Sequence, residues 1–261
     1  MHIFFMQAFS TSCGSTLEAP LIGLYIADTQ GFSRFSVKQT ARAQRRGPYK
    51  KSEQSKERII GAAIEQLIEE GYRSLTFRRV AQRAGVSIGN LQHHFDTKEK
   101  LIAEMIDTVI TGYLDEFEVM LDSDESPTQQ LTSVVTAVVE DLTTRETTMF
   151  FPELWSLANH EPAVEALMNQ MYGRYIGIYE RIIGRINPDL KPAQIERAAL
   201  FFAASLEGHT MFLGHGKCAT AVHRDIARIA VRCFLHLLEE GDIPASRRRL
   251  KYAAPKVKRP L

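Results

Sequence analysis

Cysteine is scarce: Cys13, Cys218 and Cys233 are the only three in 261 residues. They are too few and too scattered for a disulfide framework, which fits folding in a reducing cytoplasm. Long apolar runs are missing too; none approaches the ~18 residues that a bilayer span needs, so no membrane partner is expected. Alternating Val/Ile/Thr runs bounded by Asn-Gly or Asp-Gly do not occur, nor does an internal repeat, which argues against sheets and solenoids. G-x-S-x-G, the P-loop and G-x-G-x-x-G are all absent, so the chain is not expected to be an enzyme and no cofactor is implied. The start, MHIFFMQAF, is apolar but lacks a basic n-region and a small-residue cleavage site, which argues against a secretory signal. Residues 1–36 carry no helical or strand period and read as a disordered extension or as translation from an upstream start codon.

What is present is an ordinary soluble composition, 44% hydrophobic and 24% charged, long enough to bury a real core. The net charge of +1 hides an uneven division. Residues 38–100 hold 14 Lys and Arg against 7 Asp and Glu, while residues 101–246 hold 10 against 22. A basic head on an acidic body suggests that the head meets a polyanion, although a charge run is more often a solvated face.

KQTARAQRRGPYKK, residues 38–51, has six cations and a Gly47-Pro48 break, and reads as a flexible arm. Ser52 or Ser55 is then placed to cap a helix with apolar positions Ile59, Ile60, Ala63, Ile64, Leu67 and Ile68, ended by Gly71. Thr76 starts a second short helix, Gly85 supplies a turn, and Ser87 caps a third helix running to Phe95. Asp96-Thr97-Lys98-Glu99 has the form of a capping box, so a fourth helix follows through Leu101, Met105, Ile106, Val109, Tyr113 and Phe117. Further helices are predicted at about 127–144, 152–159, 162–185, 192–213 and 220–240, several with proline in the first turn. The predicted fold is all-α: an extension and arm over 1–51, a three-helix helix-turn-helix head over 52–100, a helical regulatory and dimerisation body over 101–243, and a basic tail over 244–261.

The third of these helices poses the functional question. AGVSIGNLQHHF, residues 84–95, offers only Leu91 and Phe95 for burial, and buried polar side chains are costly without partners, so its Asn, Gln and His side chains should face something polar. Asn, Gln, Arg and His are the side chains that read base edges in the major groove of DNA.

Residues 56–105 resemble the DNA-binding head of the TetR family of bacterial transcriptional regulators. The resemblance rests on G-Y-x-x-L-T (71–76), V-A-x-x-A-G-V-S (80–87), G-N-L (89–91), H-F (94–95) and T-K-E-x-L (97–101). The later helices fit the family in number, length and order only. One departure stands out: Gln92 occupies a position where the family commonly has tyrosine, which alters the expected operator preference while keeping an adenine-reading amide.

The residues expected at DNA are Thr76, Arg78, Ser87, Ile88, Gly89, Asn90, Gln92, His93, His94 and Lys98. Ile88, Gly89, Asn90, Gln92 and His93 lie away from Leu91 and Phe95, while Arg78, Thr76, His94 and Lys98 match family positions that touch bases or backbone. The arm residues Arg42, Arg45, Arg46, Lys50 and Lys51 either enter a minor groove or only raise nonspecific affinity, the second being favoured. A solvated helix end is the plainer account of His93-His94, but the surrounding motif outweighs it.

One short helix reads too few bases, so a homodimer on a palindromic operator is expected. Candidate interface residues on the last two helices are Phe202, Leu206, Ile226, Ile229, Cys233 and Leu237, unless those helices merely close the monomer core. The resemblance further implies a cavity for a small-molecule effector, expected to be apolar or aromatic. Phe117, Phe151, Trp155, Tyr172, Tyr175, Tyr179, Glu207 and His209 are its candidate lining, although aromatic positions at helical spacing are more often core. Two alternatives stay open: a metal-responsive regulator using the corner of His209, His215, Cys218 and His223, or a helical adaptor that has lost DNA binding.

Overall fold

The computed structural model describes residues 48–245, with side chains from Ser52 onward. Arg42, Arg45, Arg46, the N-terminal extension and nearly all of the basic tail lie outside these residues. Every described residue is in or near a helix, and none forms a strand. This is the all-α fold expected from the sequence.

Helix α1 (Pro48–Glu70) buries Ile59, Ile60, Ala63, Ile64, Leu67 and Ile68, the stripe its period predicts. It begins earlier than expected, so Lys50 and Lys51 belong to the helix and not to a flexible arm. Ser55 is inside it, 5% exposed, and its hydroxyl donates to Asn90 Oδ1 at 2.6 Å instead of capping anything. After a 3-10 turn (Tyr72–Ser74), the Thr76 hydroxyl accepts the Arg79 N–H and starts α2 (Phe77–Ala84). Gly85, at φ 65°, makes the left-handed turn that only glycine adopts cheaply. The Ser87 hydroxyl then accepts the Asn90 N–H and starts α3 (Ile88–His94).

Helix α4 (Lys98–Leu121) is capped one residue later than predicted: Thr97 accepts the Lys100 N–H, and Asp96 instead pairs with Lys100 Nζ at 2.8 Å. A capping box of Ser126 and Gln129 opens α5 (Pro127–Leu142). Helix α6 (Arg145–Ala158) differs most from expectation, since Thr144 caps it and Pro152 sits inside it. Proline is most at home in a first turn, which is why the sequence suggests a helix starting at 152; here the strong Thr144 cap fixes the start a full two turns earlier. Next come α7 (Pro162–Ile186) and α8 (Pro192–Gly208). The predicted 192–213 helix breaks at His209 into α8 and one further turn, α9 (Thr210–Leu213). A 3-10 segment (Cys218–Val222) leads into α10 (His223–Glu240), ended by Gly241 at φ 68°.

Helix α7 is the centre of the body and packs against α4, α5, α6 and α8. Phe202 of α8 is fully buried and stacks on Phe234 of α10 with ring centroids 3.8 Å apart. Phe202 and Leu206, both 0% exposed, therefore belong to the subunit's own core and not to the interface the sequence suggested, because the stripe they form is filled from within the chain. Head and body pack continuously: α1 lies against α4 and α6, and the described residues fall in one compact unit. No described helix is long and apolar enough to cross a membrane.

Candidate nucleic-acid interface and buried cavity

The head presents α3 on a framework of short-range caps and ion pairs. Arg83 of α2 reaches Glu69 at 2.8 Å and Glu70 at 3.4 Å, and Arg79 reaches Glu70 at 2.6 Å, so α2 is clamped to the C-terminal end of α1. Leu91 and Phe95 are buried beneath α3, which leaves Gly89, Gln92 and His93 exposed, with Ile88 at 44%. Ile88, Gly89, Gln92 and His93 are the exposed positions of this short helix. Asn90 is half-buried and held by Ser55.

Between the start of α1 and α3 runs an open depression of about 450 Å³, edged by Ser52, Ser55, Arg58, Ser87, Asn90, His93 and His94. His94 is half-buried; burial first, then His93 and Lys56, hold its imidazole below the usual histidine range. Thr76 and Arg78 are exposed at the start of α2. Lys98 lies with its ammonium 3.7 Å above the Tyr72 ring, a cation–π contact, and burial lowers its pKa. Of the residues expected at DNA, Ser87, Asn90, His93 and His94 border the same depression, while Thr76, Ser87, Asn90 and Lys98 already have partners within the chain. The Tyr72–Lys98 contact is legible in the sequence only once the 3-10 turn is known to bring residue 72 to the start of α4.

The body holds a narrow, half-open cavity of about 50 Å³. Its walls come from α4 (Tyr113, Leu114, Phe117), α5 (Val138, Asp141, Leu142), α6 (Thr147, Phe151), α7 (Met171, Tyr172, Tyr175) and α8 (Glu207). Of the residues the sequence suggested, Phe117, Phe151, Tyr172, Tyr175 and Glu207 border it directly. Trp155 and Tyr179 stand behind the wall: Trp155 Nε1 donates to the Tyr172 hydroxyl at 2.6 Å, and the Tyr175 and Tyr179 hydroxyls are 3.0 Å apart. His209 is not on the wall, since its Nδ1–H donates to the Ser205 carbonyl at 2.5 Å.

Asp141, Tyr113 and Thr147 are the polar wall residues the sequence reading missed. The Tyr113 and Thr147 hydroxyls both donate to Asp141 Oδ2, at 2.7 and 2.6 Å. An aspartate at the end of an amphipathic helix reads as solvated; only the fold turns it inward. Glu207 shares the space, and its carboxyl is pushed up to about 7 by burial and by the Asp141 charge. The hydroxyls of Tyr172, Tyr175 and Tyr179 are raised well above the ordinary tyrosine value, chiefly by burial.

The histidine corner is not assembled. The His223 Nδ1–H donates to the Thr220 carbonyl, His209 is turned to Ser205, and no three His, Cys, Asp or Glu among the described residues are grouped to hold a metal ion.

Two family descriptions match this chain: "Bacterial regulatory proteins, tetR family" over residues 59–105 and "BetI-type transcriptional repressor, C-terminal" over residues 127–238. The regulator BetI of Serratia proteamaculans is 26% identical over 156 residues, 59% of this chain and 77% of that protein. The repressor KstR2 of Mycobacterium tuberculosis is 33% identical over 86 residues, 31% of this chain and 41% of that protein. A crystal structure of a putative TetR-family regulator from Mesorhizobium loti superimposes with a TM-score of 0.60 at 17% identity, over 71% of this chain and 97% of that one. With its helix-turn-helix head and helical body, the chain belongs to the TetR family of DNA-binding transcriptional regulators.

Proposed function

We propose that the protein is a ligand-responsive repressor, not an enzyme, that binds a palindromic operator as a homodimer in the cytoplasm and is released by a small molecule in the body cavity. The observation that carries this reading is the outward face of α3, where Ile88, Gly89, Gln92 and His93 stand exposed over a helix anchored by buried Leu91 and Phe95. The major groove admits one such helix, and Gln92 and His93 supply donors and acceptors for base edges. Thr76, Arg78 and Lys98 supply the positioning contacts, Lys98 by leaving the Tyr72 ring for a phosphate.

Pairing falls to the exposed side of α8 to α10. Phe201 (55% exposed), Met211, Phe212 and Ile229 (56%) are exposed apolar side chains on these helices, with Cys233 exposed and Ile226 and Leu237 half-buried. Exposed apolar side chains in such number favour a partner, and a second copy gives the twofold pair that a palindrome requires.

The cavity supports the response. At about 50 Å³ it is far below the roughly 300 Å³ at which ligand pockets begin, so an effector of useful size must push α4, α5, α6, α7 and α8 apart. A molecule that binds the spread body better than the closed one shifts the population toward it, and α4 and α6 carry that change to the head. Selection of bound sequences from random duplex DNA tests the reading. It predicts enrichment of a palindrome and loss of binding on addition of an effector found by screening; no enrichment at moderate salt would refute it.

A further inference from the structure

Arg58 stands exposed on α1, and no acid among the described residues pairs with it. Its neighbours in the head are differently placed: Lys56 is tied to Glu104 of α4, and Arg79 and Arg83 of α2 are tied to Glu69 and Glu70. A spacing of three sets Ser52, Ser55 and Arg58 on one side of α1, and all three edge the depression between α1 and α3. Its other side comes from Ser87, Asn90 and His93, again three apart, with His94. No aspartate or glutamate lines it. The one side-chain amide oxygen on its rim, Asn90 Oδ1, accepts from the Ser55 hydroxyl. A guanidinium, hydroxyls and imidazoles around an open space free of negative side chains make a site for an anion.

We infer that this depression takes a phosphodiester of the operator backbone, with Arg58 as the cation that holds it. This rests on the reading of α3 as the helix that enters the groove, and it adds α1 to the DNA-binding surface. An α-helix with its side chains is about as wide as the major groove, roughly 12 Å, so a helix seated there has a phosphate backbone along each edge. Ser87, Asn90 and His93 mark one edge of α3, and the depression lies beside it. The backbone that borders the groove on that side therefore passes between α3 and α1. The planar fork of Arg58 suits two phosphate oxygens at once, and Ser52 supplies a hydroxyl donor. The open shape favours a backbone passing through over a free ion, which is held best where it is enclosed.

A cation on a phosphate and a cation on a base leave different signatures, both read by anisotropy with the full-length protein on the selected operator and on a scrambled duplex over a range of salt. Arg58→Gln should weaken both duplexes by the same factor, about tenfold at low salt, and lower the slope of log affinity against log salt by about one for each bound subunit. Arg58→Lys, which keeps the charge and loses the fork, should recover the slope and part of the affinity. Replacing operator phosphates one at a time by neutral methylphosphonate locates the partner: one position in each half-site should cost the native protein about fivefold or more, and the Arg58→Gln variant under about twofold. An unchanged salt slope, a loss confined to the operator, or no phosphate whose neutralisation matters less in the variant would each overturn the proposal. Pyrophosphate that displaces the scrambled duplex better than chloride of equal ionic strength, from the native protein and not from Arg58→Gln, would assign the site to a free phosphorylated ligand instead. The scrambled duplex carries the same backbone, so the salt measurement stands even where no operator is enriched, and failure of the α3 reading is told apart from failure of this one.

Discussion

The Glu153 carboxylate of α6 accepts the backbone N–H of Tyr72 at 2.9 Å. It joins the helix that carries Thr147 and Phe151 on the cavity wall to the turn on which Lys98 rests. Helix α6 is therefore a second connection between cavity and head beside α4, made through this hydrogen bond and through its packing on α1.

Removing that acceptor should loosen the joint. Glu153→Ala is expected to cost about 1–2 kcal/mol in urea unfolding, the usual loss for a hydrogen bond to a charged group. Glu153→Gln, which keeps an acceptor oxygen, should cost less than half of that. In both variants the ratio of operator affinities without and with effector should shrink, because less of the change in α6 reaches the head.

The turn between α2 and α3 was readable almost to the residue, whereas the start of α1 and the cap of α4 were not. Ser87, Thr76 and Gly85 are local signals whose chemistry acts within three or four positions, and the structure uses each as its type predicts. The body was legible only in outline. Pro152 suggested a helix start because proline's missing N–H usually marks one, and the Thr144 cap that overrides it is weaker as a sequence signal. Phe202 and Phe201 are adjacent in an apolar stretch, and only the packing of α10 decides that the first is core and the second surface. Asp141 and Glu207 meet because α5 and α8 line the same cavity, a relation that no sequence spacing encodes.

That same distinction predicts opposite outcomes at neighbouring positions. Phe202→Ala should destabilise the subunit by about 3–5 kcal/mol, the cost of a large cavity in a packed core. Phe201→Glu combined with Ile229→Asp should leave the helical content unchanged and yield monomers by sedimentation. Operator affinity should fall steeply in that variant.

Ser55 donates to Asn90 Oδ1 and so fixes how α3 offers that side chain. Ser55→Ala should change stability by no more than about 1 kcal/mol. Its effect should appear in DNA binding, as weaker discrimination between the operator and single-base variants, with nonspecific affinity unaltered.

Glu207 makes the stability of the fold depend on pH. Its folded pKa of about 7 lies above the ordinary carboxyl value, so the folded state holds a proton that the unfolded chain has released. The stability it contributes is complete below pH ~4.5 and is lost as pH rises toward 7, by up to about 3 kcal/mol. The groups that face it are Asp141 on α5, Tyr113 on α4, and Tyr172 and Tyr175 on α7, with Tyr179 behind them. Denaturation of the native protein and of Glu207→Gln should therefore diverge between pH 5 and 7, the native protein losing ground.

The most direct test of the whole account is fluorescence anisotropy with the selected operator and a scrambled duplex of equal length at moderate salt. The native protein should prefer the operator by about a thousandfold or more. Gln92→Ala combined with His93→Ala should abolish most of that preference while leaving affinity for the scrambled duplex in place. Equal binding to both duplexes by the native protein, or a preference untouched by losing both side chains, would contradict the assignment of α3 as the helix that reads DNA.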